Sequence, residues 1–334
     1  MTLLMQLPDS VTSLLRTALV TEFATVSAAG IPIDTPVSYF NPEDLASIDI
    51  ATGLSYPAKA ERARRNPKVG LLIEGEENEP VVSIAGFAAV QDSDLQGNAD
   101  RYIAETAFSR PGNMAWKVAH KAVWYWTRMI VSVQPVHVMW WENRGSMDGP
   151  PKRINAAEDA VFRPSDPAPP GPASAANKWP TKDWRLQIEG PLRHAVPGHL
   201  SLCDQDGYPL PMPVTGLELT ASGVSMKVPG GAPWEGEGKA CLTFRGAQTF
   251  VGDCVVESGR AALTIERALP IHPFVAESDK MWTPDPEIRD AFMRRLNHEV
   301  ERRGQPVPTI SPAEPQPSLG ARLRMAKYVD AWWS

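Results

Sequence analysis

The sequence predicts a mainly β protein with short helices, built from two β domains in tandem. Proline accounts for 33 of the 334 residues, about twice its average share in proteins. Because proline interrupts helix interiors and central strands, we expect few long helices and many short strands joined by turns. The second observation is an internal repeat, since short motifs of the first half return in the same order in the second half.

The first half of the chain opens with a helix and continues mostly as strands. Residues 8–20 carry apolar side chains at helical spacing, behind a cap at Asp9 or Ser10. A hairpin follows, with strands at residues 23–27 and 31–40 around a turn at residues 28–30. Further strands are expected at residues 47–52, 68–74, 81–90 and 129–141, and helices at residues 58–65 and 94–108.

The repeat relates the two halves position by position. The pattern G-x-P-x-x-x-P-V occurs at residues 30–37 and again at residues 207–214 without a gap, and residues 68–75 then match residues 239–246. Gly86 of the next strand falls near Gly252. Three matches in one order favour a duplicated β domain. The second copy is shorter where the first has its basic helix at residues 58–65, and a Gly-rich segment replaces that helix.

These features divide the chain into four predicted parts. They are a first barrel at residues 1–149, a Pro/Ala-rich linker at residues 150–182, a degenerate second barrel at residues 183–275 and a helical extension at residues 276–334. The composition of the linker is typical of an extended, partly ordered segment. The extension holds a helix at residues 284–303 and an amphipathic tail, whose Trp332 and Trp333 are expected to anchor it to the body.

Composition and charge exclude several classes of function. The net charge of −6 argues against nucleic acid as the main partner, because binding a phosphate backbone requires concentrated positive charge. The three cysteines are too scattered for a disulfide framework, and neither they nor the histidines have the spacing of a metal site. No segment has the pattern of a secretion signal or a bilayer span. We therefore expect a cytoplasmic protein that uses no metal, membrane or nucleic acid.

One group of polar residues follows the third predicted strand. Thr52, Ser55 and Lys59 have the spacing T-x-x-S-x-x-x-K, and Lys59 begins a helix that also carries three arginines. Hydroxyls, N–H groups at a helix start and a lysine together suit a phosphate group. From the residues alone, a solvated basic helix that balances the acidic loop at residues 74–79 is the competing interpretation.

The order of these segments resembles the pyridoxamine 5′-phosphate oxidase-like family of flavin-binding split barrels. The resemblance rests on the strand with T-x-x-S-x-x-x-K, the short basic helix, Asn66-Pro67 and the apolar strand at residues 69–73. A closing strand at residues 130–141, with Pro135 and a tryptophan pair, is similar too, so that most of residues 12–145 are covered. The resemblance implies two Greek-key split barrels packed as a pseudo-dimer within one chain, the second without the phosphate helix.

The resemblance also implies a cofactor and the residues that hold it. FMN would bind between the barrels at one complete site per chain, with its phosphate at the T-x-x-S-x-x-x-K motif and its ring along the second strand. Tyr56-Pro57 replaces the basic pattern of the family's oxidase beside the motif serine, which argues against pyridoxamine phosphate as the substrate. The cofactor-binding residues so implied are Pro36, Val37, Ser38, Thr52, Ser55, Tyr56, Lys59 and Arg65.

Three hypotheses about function follow. The first is an FMN-dependent oxidoreductase acting on a small molecule, in which the flavin carries the electrons and no catalytic side chain is identified. The second keeps the fold but binds F420 or haem, with His137 as the candidate axial ligand. The third is a non-catalytic flavin-binding or sensing module. The expected partner is a small-molecule substrate or electron donor, and the chain is expected to be a monomeric pseudo-dimer or a homodimer.

Aromatic residues cluster at the end of the first half. Aromatic rings stack on flat ligands such as isoalloxazines, and they also fill cores. For these residues, packing in the core and between the barrels is favoured over contact with a cofactor. The cluster consists of Trp116, Trp124, Tyr125, Trp126, Trp140 and Trp141.

Overall fold

The structure is a computed structural model that describes residues 2–110, 114–175, 183–244, 248–270 and 284–333. It confirms the mainly β prediction, with two six-stranded antiparallel barrels and short helices packed around them. Among the helices described, none is both long enough and apolar enough to cross a bilayer.

The first barrel is closed by pairing between its third and sixth strands. Its strands follow the order β3-β2-β1-β4-β5-β6, and a short seventh strand extends the sheet beyond β6. The barrel interior holds the larger apolar core, to which nearly every strand contributes. The strands are β1 (Val20–Val26), β2 (Pro32–Phe40), β3 (Ile48–Gly53), β4 (Lys68–Glu74), β5 (Val81–Gln91), β6 (Arg128–Trp141) and β7 (Lys152–Asn155).

The second barrel repeats this topology strand for strand, which confirms the predicted duplication. Its order β10-β9-β8-β11-β12-β13, closed by β10 against β13, is that of the first barrel with each strand number raised by seven. Gly30 and Gly207, in the turns after β1 and β8, both have positive φ angles that favour glycine. Its strands are β8 (Gly198–Cys203), β9 (Pro209–Leu219), β10 (Gly223–Lys227), β11 (Gly236–Phe244), β12 (Gln248–Glu257) and β13 (Arg260–Ala268).

The two barrels pack face to face through equivalent strands. Strand β4 lies against β9 and, reciprocally, β2 lies against β11. In the repeat, Asp34 matches Pro211 and Gly70 matches Cys241. The backbone N–H of Asp34 approaches Cys241 Sγ at 3.4 Å, while a side chain at Gly70 would collide with the ring of Pro211. Asp34 of the first barrel thus meets Cys241 of the second, and their repeat equivalents Pro211 and Gly70 also meet each other. Such reciprocal contacts show that the barrels form a pseudo-dimer related by a two-fold axis.

Eight α-helices of the described chain surround the barrels. The predicted cap of the first helix was wrong, because Asp9 is already its first residue and Pro8 precedes it without a capping side chain. The helix after β3 has the predicted bounds. The helices are α1 (Asp9–Thr17), α2 (Ala58–Arg65), α3 (Leu95–Thr106), α4 (Trp116–Ala119), α5 (Val123–Trp126), α6 (Trp184–Arg193), α7 (Pro286–Arg302) and α8 (Leu319–Trp333). The predicted anchoring by Trp332 and Trp333 concerns side chains outside the described part of the chain.

Chain segments outside the barrels are tied to the first barrel by specific contacts. The N–H of Val90 donates to Ser165 Oγ, and the Asp166 carboxylate accepts from the N–H groups of Asp92 and Ser93. Helix α7 contributes apolar side chains to the first core, including the fully buried Leu296. The segment at residues 164–175 and α7 therefore form an outer layer over one side of the first barrel.

Candidate functional site

The predicted phosphate motif lies where β3 passes into α2. Thr52 and Ser55 are buried, and Lys59 on the first turn of α2 is half-buried. The turn between strand and helix is closed by the N–H of Tyr56, which donates to Gly53 O at 3.0 Å. The T-x-x-S-x-x-x-K spacing therefore spans a strand end, a tight turn and a helix start, as the sequence predicts.

Helix α2 presents two chemically different faces. On one face, both charged residues have ion-pair partners outside the helix. Arg64 lies 2.8 Å from the Asp92 carboxylate, and Glu61 lies within 4 Å of two arginines at the end of α7. On the other face, Lys59, Arg62 and Arg65 recur at every third position. Within the described ranges, none of these three cations has a carboxylate at ion-pair distance, although Glu22 and Asp34 act on Lys59 from farther away.

The second face contacts the end of β1. Arg62 Nε donates to Thr25 Oγ1 at 2.7 Å, and Arg65 donates to the carbonyl oxygen of Val26 at 3.2 Å. Burial, followed by the charges of Arg62 and Arg128, lowers the pKa of Lys59 to about 8. Burial and the neighbouring Arg65 likewise lower the pKa of Arg62 to about 10. Several cations thus share one partly desolvated space.

Arg128 belongs to this group, and the sequence analysis missed it. It begins β6 and pairs in register with Gly53 of β3. Its guanidinium group lies 4.5 and 4.3 Å from the ring centres of Tyr102 and Tyr125, and a side chain at position 53 would come within 3.2 Å of it. The buried Nε of Arg128 has no hydrogen-bond acceptor among the described residues, and neither has the buried indole N–H of Trp124. Two buried N–H donors of this region, on Arg128 and Trp124, therefore lack an acceptor among the described residues.

Ser55 and Tyr56 face helix α7. The Ser55 hydroxyl lies 3.4 Å from the carbonyl oxygen of Phe292, and Arg295 donates to the Ser55 carbonyl at 2.6 Å. The Tyr56 ring meets the Phe292 ring edge to face at 5.4 Å and carries the Arg295 guanidinium at 4.7 Å. The structure thus groups Lys59 with the arginines, while Ser55 and Tyr56 form the boundary between the motif and α7. The role of Tyr56 in cofactor binding stays a prediction.

The strand predicted to line a flavin ring lies between the barrels. Pro36, Val37 and Ser38 are half-buried in β2, the strand that packs on β11 and β8. Asp34, two residues earlier, is fully buried and accepts a hydrogen bond from the Ser201 hydroxyl at 3.1 Å. Burial and the charge of Glu22 raise the pKa of Asp34 well above its ordinary value. This wall of the site therefore carries a buried carboxyl group whose charged form is disfavoured.

A second buried group of charges connects the barrels. His199 of β8 lies between two carboxylates of the first barrel, with Nδ1 3.1 Å from Glu22 and Nε2 2.7 Å from Glu74. The side chains of His199 and Glu22 are 1% and 3% exposed. Burial alone would lower the pKa of His199, but the hydrogen bonds to both carboxylates outweigh it and raise the pKa to about 10. Glu74 is also paired with Arg144 at 2.9 Å. The imidazole is therefore a buried cation.

His137 lies elsewhere, in a cavity of about 490 Å³ between β6–β7 and the second barrel. Its Nδ1 lies 3.0 Å from the side-chain oxygen of Asn155, and its ring meets that of Tyr208 edge to face at 6.0 Å. The described lining of this cavity includes no residue of the T-x-x-S-x-x-x-K motif. In the described ranges, no three side chains of His, Cys, Asp or Glu come together as a metal site would require.

The second barrel has no counterpart of α2. Between β10 and β11 the chain forms a loop at residues 228–235 that contains two glycines and two prolines but no lysine or arginine. This loop packs on the first barrel, where the N–H of Gly230 donates to Met147 O at 2.7 Å. The cationic group of the first barrel is therefore not repeated at the equivalent position.

Comparison with solved structures gives several similar folds. A putative pyridoxamine 5′-phosphate oxidase from Listeria innocua is 16% identical, and the match covers 40% of this chain and 98% of that one with a TM-score of 0.31. An FMN-binding, pyridoxamine 5′-phosphate oxidase-related protein from Nostoc punctiforme is 14% identical over 36% of this chain and 72% of its own, with a TM-score of 0.28. A protein named F420 reductase is 15% identical over 41% of this chain and 100% of its own, with a TM-score of 0.32.

The fold class of this chain rests on the strand order of the two barrels. No family model matches the sequence, and no curated protein matches it.

Proposed function

We propose that this chain is an FMN-dependent oxidoreductase that acts on a small molecule and holds one cofactor per chain at the cationic face of α2. The observation that carries the proposal is the group formed by Lys59, Arg62 and Arg128. The charges of Arg62 and Arg128 both act on the partly desolvated Lys59, and no described carboxylate lies at ion-pair distance from any of the three.

A group of partly buried cations destabilises the folded protein unless an anion binds to it. Burial disfavours the charged forms, and like charges add to that cost, which is why the pKa values of Lys59 and Arg62 fall. A phosphate monoester supplies two negative charges and several acceptor oxygens, and guanidinium groups match its geometry. The acceptor-free Nε of Arg128 fits the same ligand. The residues present therefore fit the phosphate of FMN.

The flavin ring would lie along β2, between the barrels. Pro36, Val37 and Ser38 are half-buried there, so they retain surface for a flat ligand while the second barrel excludes water from the other side. When bound, the flavin would supply the electron transfer. The chain itself would bind, orient and shield the cofactor.

The site occurs once per chain because only the first barrel has α2. The loop at residues 228–235 offers no cation at the equivalent place, and its backbone is engaged by the first barrel. The second barrel therefore acts as a wall of the single site. A stoichiometry of one FMN per chain follows.

The proposal is tested by titrating the purified protein with FMN, followed by flavin absorbance and fluorescence. Lys59→Ala removes a charge-assisted contact worth about 1.5–3 kcal/mol, so the dissociation constant should rise about ten- to a hundredfold. Lys117→Ala, an exposed lysine on α4, is the matched control and should bind like the wild type. Equal affinities of the Lys59→Ala and control proteins would refute the phosphate position, and no uptake of FMN would refute the proposal.

Turnover separates an enzyme from a binding module. A bound flavin that is reduced by NADH or NADPH and reoxidised by an added organic acceptor supports the oxidoreductase. A flavin that is reoxidised by oxygen alone favours a sensing module instead. A Soret band in the purified protein, abolished by His137→Ala, would point to haem.

A further inference from the structure

We propose that α7 closes the phosphate end of the site, so that the protein accepts a cofactor ending in a phosphate monoester and rejects those whose phosphate carries a further group. The two rejected classes are dinucleotides such as FAD and deazaflavins such as F420, whose phosphate is a diester. Phe292 and Arg295 are the specificity-determining residues. This inference rests on the proposed position of the phosphate beside the T-x-x-S-x-x-x-K motif.

The first step of the argument is the direct contact between α7 and the motif. Phe292 places its carbonyl oxygen 3.4 Å from the Ser55 hydroxyl and its ring against both Tyr56 and Trp124, stacked on the latter at 6.3 Å. Ser55 is 1% exposed and Phe292 is 3% exposed. The motif serine and the helix therefore pack directly against each other.

Arg295 completes the wall from the other side. Its Nε donates to the carbonyl of Ser55, its guanidinium lies over the ring of Tyr56, and its Nη1 donates to the carbonyl of Ala175 at 2.5 Å. One side chain thus joins α7, the turn after β3 and the segment that precedes the second barrel. Three chain segments meet behind the phosphate motif.

This wall is built into the fold and is not a loosely placed segment. Leu296 and Val300 of α7 belong to the core of the first barrel. The fully buried Glu299 accepts from the N–H of Ser174 at 2.6 Å and pairs with Arg302 and Arg303 at 2.7 and 2.6 Å. Because a buried, multiply bonded carboxylate is costly to expose, α7 keeps its position when a ligand binds.

The same arginines extend the wall along its length. Arg302 donates to the carbonyl oxygens of Pro170 and Gly171, and Arg303 pairs with Asp92 at 2.9 Å. These contacts hold the segment at residues 169–175 against α7 by its backbone. An adenosine or oligoglutamyl group attached to the phosphate would have to displace this whole layer. A terminal phosphate would not.

The test compares four ligands on the full chain: FMN, riboflavin, FAD and F420. FMN should bind most tightly, and riboflavin more weakly because it lacks the phosphate. FAD and F420 should bind at least a hundredfold more weakly than FMN. If FAD or F420 binds the wild type as tightly as FMN, the inference is overturned while the flavin site stands. If none of the four binds, the proposed function falls and the inference falls with it.

Two variants then test the wall itself. Arg295→Ala and Phe292→Ala should each lower the ratio of the FAD to the FMN dissociation constant at least tenfold, because they open the end of the site. Arg294→Ala, an exposed arginine on the same helix, is the matched control and should keep the wild-type ratio. Arg295→Ala removes no core side chain, so the test holds even if Phe292→Ala does not fold. An unchanged ratio in Arg295→Ala would assign the selectivity to another part of the molecule.

Discussion

The buried imidazole of His199 makes the stability of this protein depend on pH in a defined direction. Its folded pKa of about 10 lies above the value of 6.5 expected in an unfolded chain. A group whose pKa is raised by folding stabilises the folded state fully below its unfolded pKa and loses that contribution as the pH rises toward the folded pKa. Stability should therefore fall between pH 6.5 and pH 10.

The size of the effect follows from the same pKa values. Between pH 6.5 and pH 8 the His199 contribution should decrease by about 2 kcal/mol. The amine of Lys59 acts in the opposite sense, because its pKa is lowered by folding to about 8, but up to pH 8 it offsets only about 0.4 kcal/mol. The histidine therefore dominates the pH dependence between pH 6.5 and pH 8. His199→Gln should remove this slope and destabilise the protein, since Glu22 and Glu74 stay buried without their cation.

The assay is urea unfolding followed by tryptophan fluorescence at several pH values in that window. The wild type and His194→Gln, an exposed histidine before β8, should show the same decrease in unfolding free energy with pH. His199→Gln should show a flatter dependence. Parallel curves for all three proteins would show that His199 is not a cation in the folded state, and the reasoning would then fail.

Three further predictions concern the site, the barrel contact and the outer layer. The affinity for FMN should fall about twofold between pH 7 and pH 8 and about tenfold by pH 9, as the amine of Lys59 with its pKa of about 8 loses its proton; FMN titrations of Lys59→Arg should lack this fall. Gly70→Ala should destabilise the protein by about 1–3 kcal/mol, because the new Cβ would lie 1.8 Å from a backbone carbonyl of β9. Gly238→Ala is the control and should leave the stability unchanged, because its Cβ would have its nearest neighbour at 3.9 Å. An equal decrease in the free energy of urea unfolding for both variants would contradict the close contact between Gly70 and β9. Glu299→Gln should lower the free energy of unfolding by about 3 kcal/mol, because it removes the charge that pairs with two arginines. If it lowered the melting temperature no more than the exposed Glu301→Gln does, the stabilising role of the buried carboxylate would be contradicted.

Local patterns were enough to predict the strands and short helices, whereas the barrels were predicted from the family resemblance. The bounds of α2 and β4 were predicted to the residue, because a basic helical run ends at Asn66-Pro67 and an apolar strand follows. The duplication was visible in the sequence because each copy needs a glycine in its first turn. The structure buries Trp116, Trp126 and Trp141, in agreement with the preference for core packing. These features depend on neighbouring residues alone.

The site needed long-range information that the sequence does not display. Arg128 joins the motif only because β6 pairs with β3, which brings it opposite Gly53. The coverage of Ser55 by α7 depends on a helix more than two hundred residues later in the chain. One signal could have been used: Glu22 is the one charged residue of β1, whose residues are otherwise apolar or threonine, as expected for a buried charge with a partner. That partner, His199, lies in the other barrel.

Glu22 and His199 occupy the same position in the two copies, because the turn glycines Gly30 and Gly207 define a constant offset between the repeats. The side chains therefore meet across the pseudo-two-fold axis. In an assembly of identical subunits, a residue on such an axis faces its own copy, so two carboxylates or two imidazolium groups would repel each other there. Fusing the copies into one polypeptide allows the two positions to carry opposite charges. The central ion pair is thus not available to a dimer of identical barrels, and it favours the pairing of the two different halves over the pairing of two identical ones.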